Sequence, residues 1–214
     1  CHAEKNRAYA IGCMGPLFLS PSGVDELVGF CAEVASGAPG LPFYYYHIPS
    51  VSGVKISMVE FIQKAKQQIP NLAGIKFTDN NYIDMQQCLE LDNRKWDILH
   101  GYDELLLAGL AFGAKGAVGS TYNFMAPLYY GIIEDFEKGD LDAAREKQAL
   151  SIRVVKVLNK NGGAIATGKA LMKHTGVDCG PCRLPLKNLN KTNYKNFVNE
   201  IESIGVLNAE KTGV

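Results

Sequence analysis

Leu72-Ala73-Gly74-Ile75-Lys76-Phe77-Thr78-Asp79 is the stretch on which the reading of the fold turns. A short apolar run without polar alternation is the pattern of a strand buried on both faces, as strands of parallel sheets are. Lys76 interrupts that run near its C-terminal end. An ammonium held among apolar groups loses hydration, so its pKa falls and the neutral amine becomes available as a nucleophile. The strand alone also admits a plainer reading, in which the stem packs on the sheet and the head snorkels to solvent or pairs with a carboxylate.

Working outward, the same unit recurs. Residues 8–19 begin as a strand and turn into a loop at Pro16, and a helix follows with Val24, Leu27, Val28, Cys31 and Val34 at i, i+3, i+4, i+7 spacing. Leu41 to His47 is a second strand, rich in the aromatics that favour pleated sheet, and Pro49 opens a Ser/Gly loop. A helix over Met58 to Gln68, with Val59, Ile62 and Ala65 inward, leads to the lysine strand. Asp79 or Asn80 then caps a helix reaching about Leu91. Trp96 to His100 is a fourth strand, followed by a helix from Leu105 to Phe112, and Ala117 to Ser120 is a fifth. After Phe124 the chain reads as helices: Pro127 to Glu137, a long one capped by Asp140 with Leu150, Val154, Val157 and Leu158 on one side, Ala164 to His174, and Tyr194 to Ile204.

Repeated βα units force a parallel sheet with right-handed crossovers. The strands are short and no Gly-rich dinucleotide fingerprint follows any of them, so the (β/α)8 TIM barrel suits the pattern best. Five strands do not close a barrel. The expected fold is therefore α/β, an incomplete barrel of five βα units over residues 1–139, with residues 140–214 as a C-terminal helical extension of the same domain.

Composition narrows the function. Lys plus Arg number 22 and Asp plus Glu 22, with no run of like charge, so there is no basic footprint for nucleic acid or a membrane surface. Every apolar run is interrupted well short of the roughly 18 residues of a spanning helix. Six cysteines, at 1, 13, 31, 88, 179 and 182, are scattered rather than set in a framework, which fits reduced thiols in the cytoplasm. Cys179-Gly-Pro-Cys182 is followed by Arg-Leu-Pro-Leu instead of a helix, and no second Cys or His pair completes a metal site, so it is read as a loop without redox or metal function.

In a barrel, chemistry sits where strands meet the following loops. The polar residues at those ends are Tyr46 and His47, Lys76 and Thr78, Asp103 and Glu104, and Ser120 and Thr121. A lysine in company with a phenol, carboxylates and hydroxyls, without a phosphate loop or metal cluster, points to Schiff-base chemistry on a carbonyl. Each residue taken singly has a structural explanation: a sheet aromatic for Tyr46, helix capping for Asp103 and Glu104, a turn for Ser120.

Tyr46-His-Ile-Pro, Gly74-Ile-Lys-Phe-Thr78, Gly101-Tyr-Asp-Glu104 and Gly119-Ser-Thr-Tyr-Asn123, in this order and spacing, resemble the N-acetylneuraminate lyases (sialic acid aldolases) of the dihydrodipicolinate synthase superfamily, animal forms above all. The resemblance covers essentially the whole chain, and the four motifs together are specific where each alone is weak. It implies a class I aldolase that reversibly cleaves N-acetylneuraminate to N-acetylmannosamine and pyruvate without a cofactor. Position by position, Lys76 matches the imine-forming lysine and Tyr46 the phenol that shuttles the proton. Thr78, Gly101, Asp103, Glu104 and Ser120 match positions that hold the sugar. It also implies a small-molecule substrate and a homo-oligomer, a tetramer by family resemblance. Carboxylates accept several hydroxyl hydrogen bonds, which makes Asp103 and Glu104 the expected specificity residues.

Two departures accompany the match. The family's chain begins with three further βα units, including the loop that holds the pyruvate carboxylate, and these are not in this sequence, which opens at Cys1 without an initiator Met. The expectation is a fragment holding strands four to eight, with two raw sheet edges and impaired activity. Phe18 stands where many relatives place a relay tyrosine. The alternative functions are a related 2-oxo acid aldolase, and a non-catalytic piece that pairs with full-length lyase.

Overall fold

The computed structural model describes residues 2–206, so Cys1 lies outside the described residues. After a short helix α1 (His2–Lys5) come β1 (Ile11–Met14), α2 (Val24–Ser36), β2 (Phe43–His47), α3 (Pro49–Ser52), α4 (Met58–Gln68), β3 (Leu72–Phe77), α5 (Tyr82–Arg94) and β4 (Asp97–His100). A 3-10 turn, Asp103–Leu105, runs into α6 (Leu106–Phe112). The remainder is helical: α7 (Tyr122–Lys138), α8 (Leu141–Lys160), α9 (Ala164–His174) and α10 (Lys191–Ile204).

The four strands form one parallel sheet in the order β1-β2-β3-β4, each joined to the next through helix, as the βα repeat predicts. The expected fifth strand does not form. Ala117 makes a single parallel bridge to His100, held by His100 N–H to the Gly116 carbonyl and Val118 N–H to the His100 carbonyl, both 2.9 Å. The glycines at 116 and 119 flank that bridge, and a strand of two or three residues cannot propagate a ladder between them.

One face of the sheet is closed by helices. Phe43, Tyr45, Ile75, Phe77 and Ile98 point into a core with Leu27, Val28 and Cys31 of α2, Phe61 and Ile62 of α4, and Met85 and Cys88 of α5. Burying a side chain such as Phe77 contributes about 2 kcal/mol. The other face carries Tyr44, Tyr46 and Lys76, all half-buried. Strand β3 is thus not apolar on two equally buried faces, because only one face is packed by helices.

Local details depart from the sequence reading in four places. Val34 lies outside the buried stripe of α2, where Ala35 takes the place inward. The loop after Pro49 winds into α3, with proline at the first turn, where its missing N–H costs nothing. Neither Asp79 nor Asn80 caps α5: Asn81 does, its side chain accepting from Asp84 N–H at 3.2 Å. Pro127 lies inside α7 rather than at its start, and the backbone kinks at Met125. The Asp140 cap of α8 and the span of α9 match the expectation.

By internal contacts the chain separates into two compact units. Of the described residues, the first takes in 2–102 and 111–118, and the second 103–110 and 119–206. The second has its own core, in which Tyr129 and Ile132 of α7, Val154 and Leu158 of α8, Leu171 of α9 and Phe197 and Ile201 of α10 are buried. No helix among the described residues is long and apolar enough to cross a membrane.

Candidate active site

Alternation along β2 and β3 places the candidate lysine and phenol. Phe43, Tyr45 and His47 face the helices, so Tyr44 and Tyr46 face away from them. The parallel register sets Met14 beside Tyr46, Tyr46 beside Lys76, and Lys76 beside Leu99, one row across four strands. In that row the Lys76 ammonium lies over the Tyr46 ring, 3.9 Å from its centroid. Such a contact stabilises by roughly 0.5–2 kcal/mol and holds the amine on the phenol rather than in bulk water. No carboxylate lies within ion-pair distance of the Lys76 nitrogen among the described residues.

One row toward the strand N-termini, Tyr44, Gly74 and Asp97 stand side by side. Gly74 has no side chain to intervene, and a Cβ there would collide with the Asp97 carbonyl. The Tyr44 hydroxyl therefore reaches over it to donate to Asp97 Oδ2 at 2.8 Å. Burial and the Asp97 carboxylate push the Tyr44 phenol up to about 12. Motif reading passed over Asp97; the signal was a carboxylate opening an otherwise apolar strand.

Thr78 and Gly101 come together just beyond β3 and β4. Thr78 N–H donates to the His47 carbonyl and Gly101 N–H to the Phe77 carbonyl, both 2.8 Å, which extends the sheet pairing past the strand ends. A Cβ at Gly101 would run into the Thr78 hydroxyl, so glycine permits the approach. Thr78 Oγ1 is buried with no partner among the described residues. A buried hydroxyl without a partner costs about 1–3 kcal/mol, and such groups recur where a ligand supplies the missing bond. His47, beside them, is buried with Nε2 3.6 Å from Asp79 Oδ2. Burial pushes its imidazole below the usual histidine value, and Asp79 only partly opposes this.

In the second unit, Asp103, Glu104 and Ser120 are near one another in the chain's turns but differ in state. Asp103 is buried, and its Oδ2 accepts from Thr121 N–H at 2.7 Å and Thr121 Oγ1–H at 2.5 Å. Gly119 packs so closely on this carboxylate that a Cβ would overlap it. Glu104 is half-buried, and burial raises its carboxyl above the usual range, with Asp103 adding to the shift. Ser120 is exposed, and its carbonyl accepts from Asn123 Nδ2 at 2.9 Å.

The sequence reading passed over the partners that hold Asp103. Thr121 was grouped with Ser120 but given no role; Tyr129, Gln148 and Ser151 had none. Gln148 and Ser151 occupy the buried face of α8 with Ala144 and Val154, and polar residues in an apolar stripe are the signal that marks them.

No group of three or more His, Cys, Asp or Glu side chains able to hold a metal occurs among the described residues. Cys179 and Cys182 are free thiols in a loop, as the sequence suggested.

Comparison with known proteins follows the same lines. The dihydrodipicolinate synthetase family model matches residues 2–204. N-acetylneuraminate lyase of Gallus gallus is 40% identical over 205 residues, covering 95% of this chain and 67% of the relative. The Sus scrofa lyase is 39% identical over 208 residues, covering 96% and 65%. Among solved structures, the N-acetylneuraminate lyase (sialic acid aldolase) of Aliivibrio salmonicida superposes with a TM-score of 0.92 at 41% identity, over 96% of this chain and 68% of that one. The Proteus mirabilis lyase gives 0.88 at 41%, over 92% and 66%. The chain spans about two thirds of the length of the curated relatives it matches. Its fold is the α/β fold of the TIM-barrel type, with a helical C-terminal part. With a family model matching residues 2–204 and N-acetylneuraminate lyases about 40% identical over most of the chain, the chain belongs to the dihydrodipicolinate synthetase family.

Proposed function

We propose that this protein is a class I aldolase that reversibly cleaves N-acetylneuraminate to N-acetylmannosamine and pyruvate. The observation that carries the reading is the Lys76 ammonium seated on the Tyr46 ring at 3.9 Å, in a row where the register makes the two residues direct neighbours. The similarity to N-acetylneuraminate lyases at about 40% identity supplies the substrate.

The Lys76 amine attacks the keto carbon of the open-chain acid, and loss of water leaves a protonated imine. The Tyr46 phenol takes the proton of the C4 hydroxyl as it passes its own proton to the substrate carboxylate. The C3–C4 bond then breaks, releasing N-acetylmannosamine as the aldehyde, and its electron pair passes into the imine as an enamine. Protonation at C3 and hydrolysis release pyruvate and restore the amine. A phenol ordinarily titrates near 10, and the cationic imine is what lowers the cost of cycling its proton near neutral pH. Thr78, Gly101, Asp103, Glu104 and Ser120 take the sugar-holding roles by resemblance; the unsatisfied Thr78 hydroxyl supports its own assignment.

The four-stranded sheet and the bridge at Ala117 are read as an arc of a (β/α)8 barrel within residues 1–139, with residues 140–214 as the helical extension. Support comes from the alternation that leaves Tyr44, Tyr46 and Lys76 on the face away from the helices, as inward residues of a barrel are. A homo-tetramer and a cytoplasmic location belong to the same reading, and the free thiols at 13, 31, 88, 179 and 182 fit a reducing compartment.

The test is incubation with pyruvate, reduction with borohydride and peptide mass spectrometry. A reduced adduct on the peptide bearing Lys76, lost in Lys76→Ala, is expected. No adduct, or one on another lysine, ends the proposal.

A further inference from the structure

The buried polar groups around the turn Asp103–Leu105 form a circuit of two branches that meet at Asp103. Thr121 Oγ1 gives its one proton to Asp103 Oδ2 at 2.5 Å, so in its 2.6 Å contact with Tyr129 the tyrosine hydroxyl must be the donor. On α8, Ser151 Oγ donates to the Gln148 carbonyl at 2.8 Å and accepts from Gln148 Nε2 at 2.5 Å. The other Nε2 hydrogen goes to the Asp103 carbonyl at 3.3 Å, and Gln148 Oε1 accepts the Leu107 N–H at 2.8 Å. Leu107 is in the first turn of α6, whose N–H groups have no partner within the helix, so Gln148 serves as its cap from a distant helix. Asp103, Thr121, Tyr129, Gln148 and Ser151 are all at most 7% exposed. Every proton of the circuit has a place, and a fully satisfied buried network is rigid.

Glu104 lies between the two backbone groups that Gln148 holds. Resting on the aldolase reading, we infer that Gln148, with Thr121 and Tyr129, positions Glu104 for the sugar. The helical part of the chain thereby sets specificity without touching the reacting bond.

Two readouts on the full chain test this. In Gln148→Met, exchange of the Leu107 amide should accelerate about tenfold, the size expected for loss of one net hydrogen bond, while mid-α8 amides keep their protection. In the same variant KM for N-acetylneuraminate should rise about tenfold with kcat and the rate of borohydride trapping of pyruvate on Lys76 nearly unchanged. Thr121→Val should raise KM likewise while Leu107 exchange keeps the parent's rate, and Thr121→Ser should behave like the parent; this pair carries the KM comparison if Gln148→Met does not fold. Unchanged Leu107 exchange in Gln148→Met overturns the circuit whatever the activity. An unchanged KM beside accelerated exchange, or trapping and KM degrading together with the melting temperature, overturns the positioning role. A parent that forms no Lys76 adduct ends the aldolase reading instead, and with it the role in sugar recognition.

Discussion

At the end of β3 the Lys76 ammonium rests on a tyrosine ring and Thr78 Oγ1 has no partner among the described residues, whereas at the turn after Gly101 the Asp103 carboxylate takes two hydrogen bonds from Thr121 and Tyr129 extends the chain. The sheet region presents polar groups whose bonding capacity is left over. In the turn region Asp103 Oδ2, Thr121 Oγ1 and the Tyr129 hydroxyl are bonded to one another. Residues of one chemical type thus divide by what their neighbours do for them: an unpartnered group has its bond to give to a ligand, and a bonded group is held in place. Asp103 and Lys76 look equally functional as letters, and only their partners separate them.

The largest effect that would sharpen this contrast is on the sheet side. Tyr46→Phe keeps the ring under the ammonium and removes the phenol, so cleavage should fall about 10²–10⁴-fold while the pyruvate adduct on Lys76 still forms. Steady-state cleavage and borohydride trapping measured together check this. Cleavage within tenfold of the parent would make Tyr46 a platform only. On the turn side, Asp103→Ala strands Thr121 N–H and Oγ1–H and should cost about 3 kcal/mol of stability, measured from urea unfolding. A cost near zero would mean the carboxylate is not scaffold, and the contrast breaks.

A smaller effect concerns His47. Burial holds its folded-state value below the ordinary 6.5, so above 6.5 its contribution to stability is fully present, and it is lost as pH falls through the folded-state value. The unfolding midpoint should therefore decline with acidification below 6.5, and His47→Gln should remove that part of the slope. A slope in His47→Gln equal to the parent's would assign the acid sensitivity elsewhere.

The smallest lies at the far end of the sheet. Asp92, Asn93 and Arg94 sit in the left-handed region, with φ of 51°, 59° and 62°, before β4 begins. Asp92 is tied there by Lys66 at 2.9 Å and by Trp96 Nε1–H at 3.0 Å, but the Cβ of Arg94 is strained at this φ. Arg94→Gly should raise stability by roughly 0.5–1 kcal/mol, the relief of strain less the entropy glycine adds to the unfolded chain. Calorimetry that shows destabilisation would mean the guanidinium does more than the backbone suffers.

Four strands, and helices such as α4, α8 and α9, were readable because their signals are local: apolar spacing at 2 or 3.6 residues, a capping Asp140, a terminating proline. The fifth strand misled because Ala117-Val118 has strand-like residues, while the glycines at 116 and 119 limit it to one bridge. The cap of α5 was displaced by two residues at most, since Asp79, Asn80 and Asn81 are all competent and only the chain's path selects Asn81. Lys76 and Tyr46 were legible as a pair because two motifs at fixed positions in adjacent strands needed only the parallel register to meet. Gln148 was not, because its partners are 41 and 45 residues away.

The order of residues by itself determined the βα rhythm, the helical second half and the identity of the lysine and the phenol, since period and residue type are properties of neighbours along the chain. Which polar groups are left free and which are consumed was decided only by the tertiary structure. Hydrogen bonding in a buried site is an accounting among groups distant in sequence, and a lone Asp or Gln carries no mark of the partner that folding will bring to it.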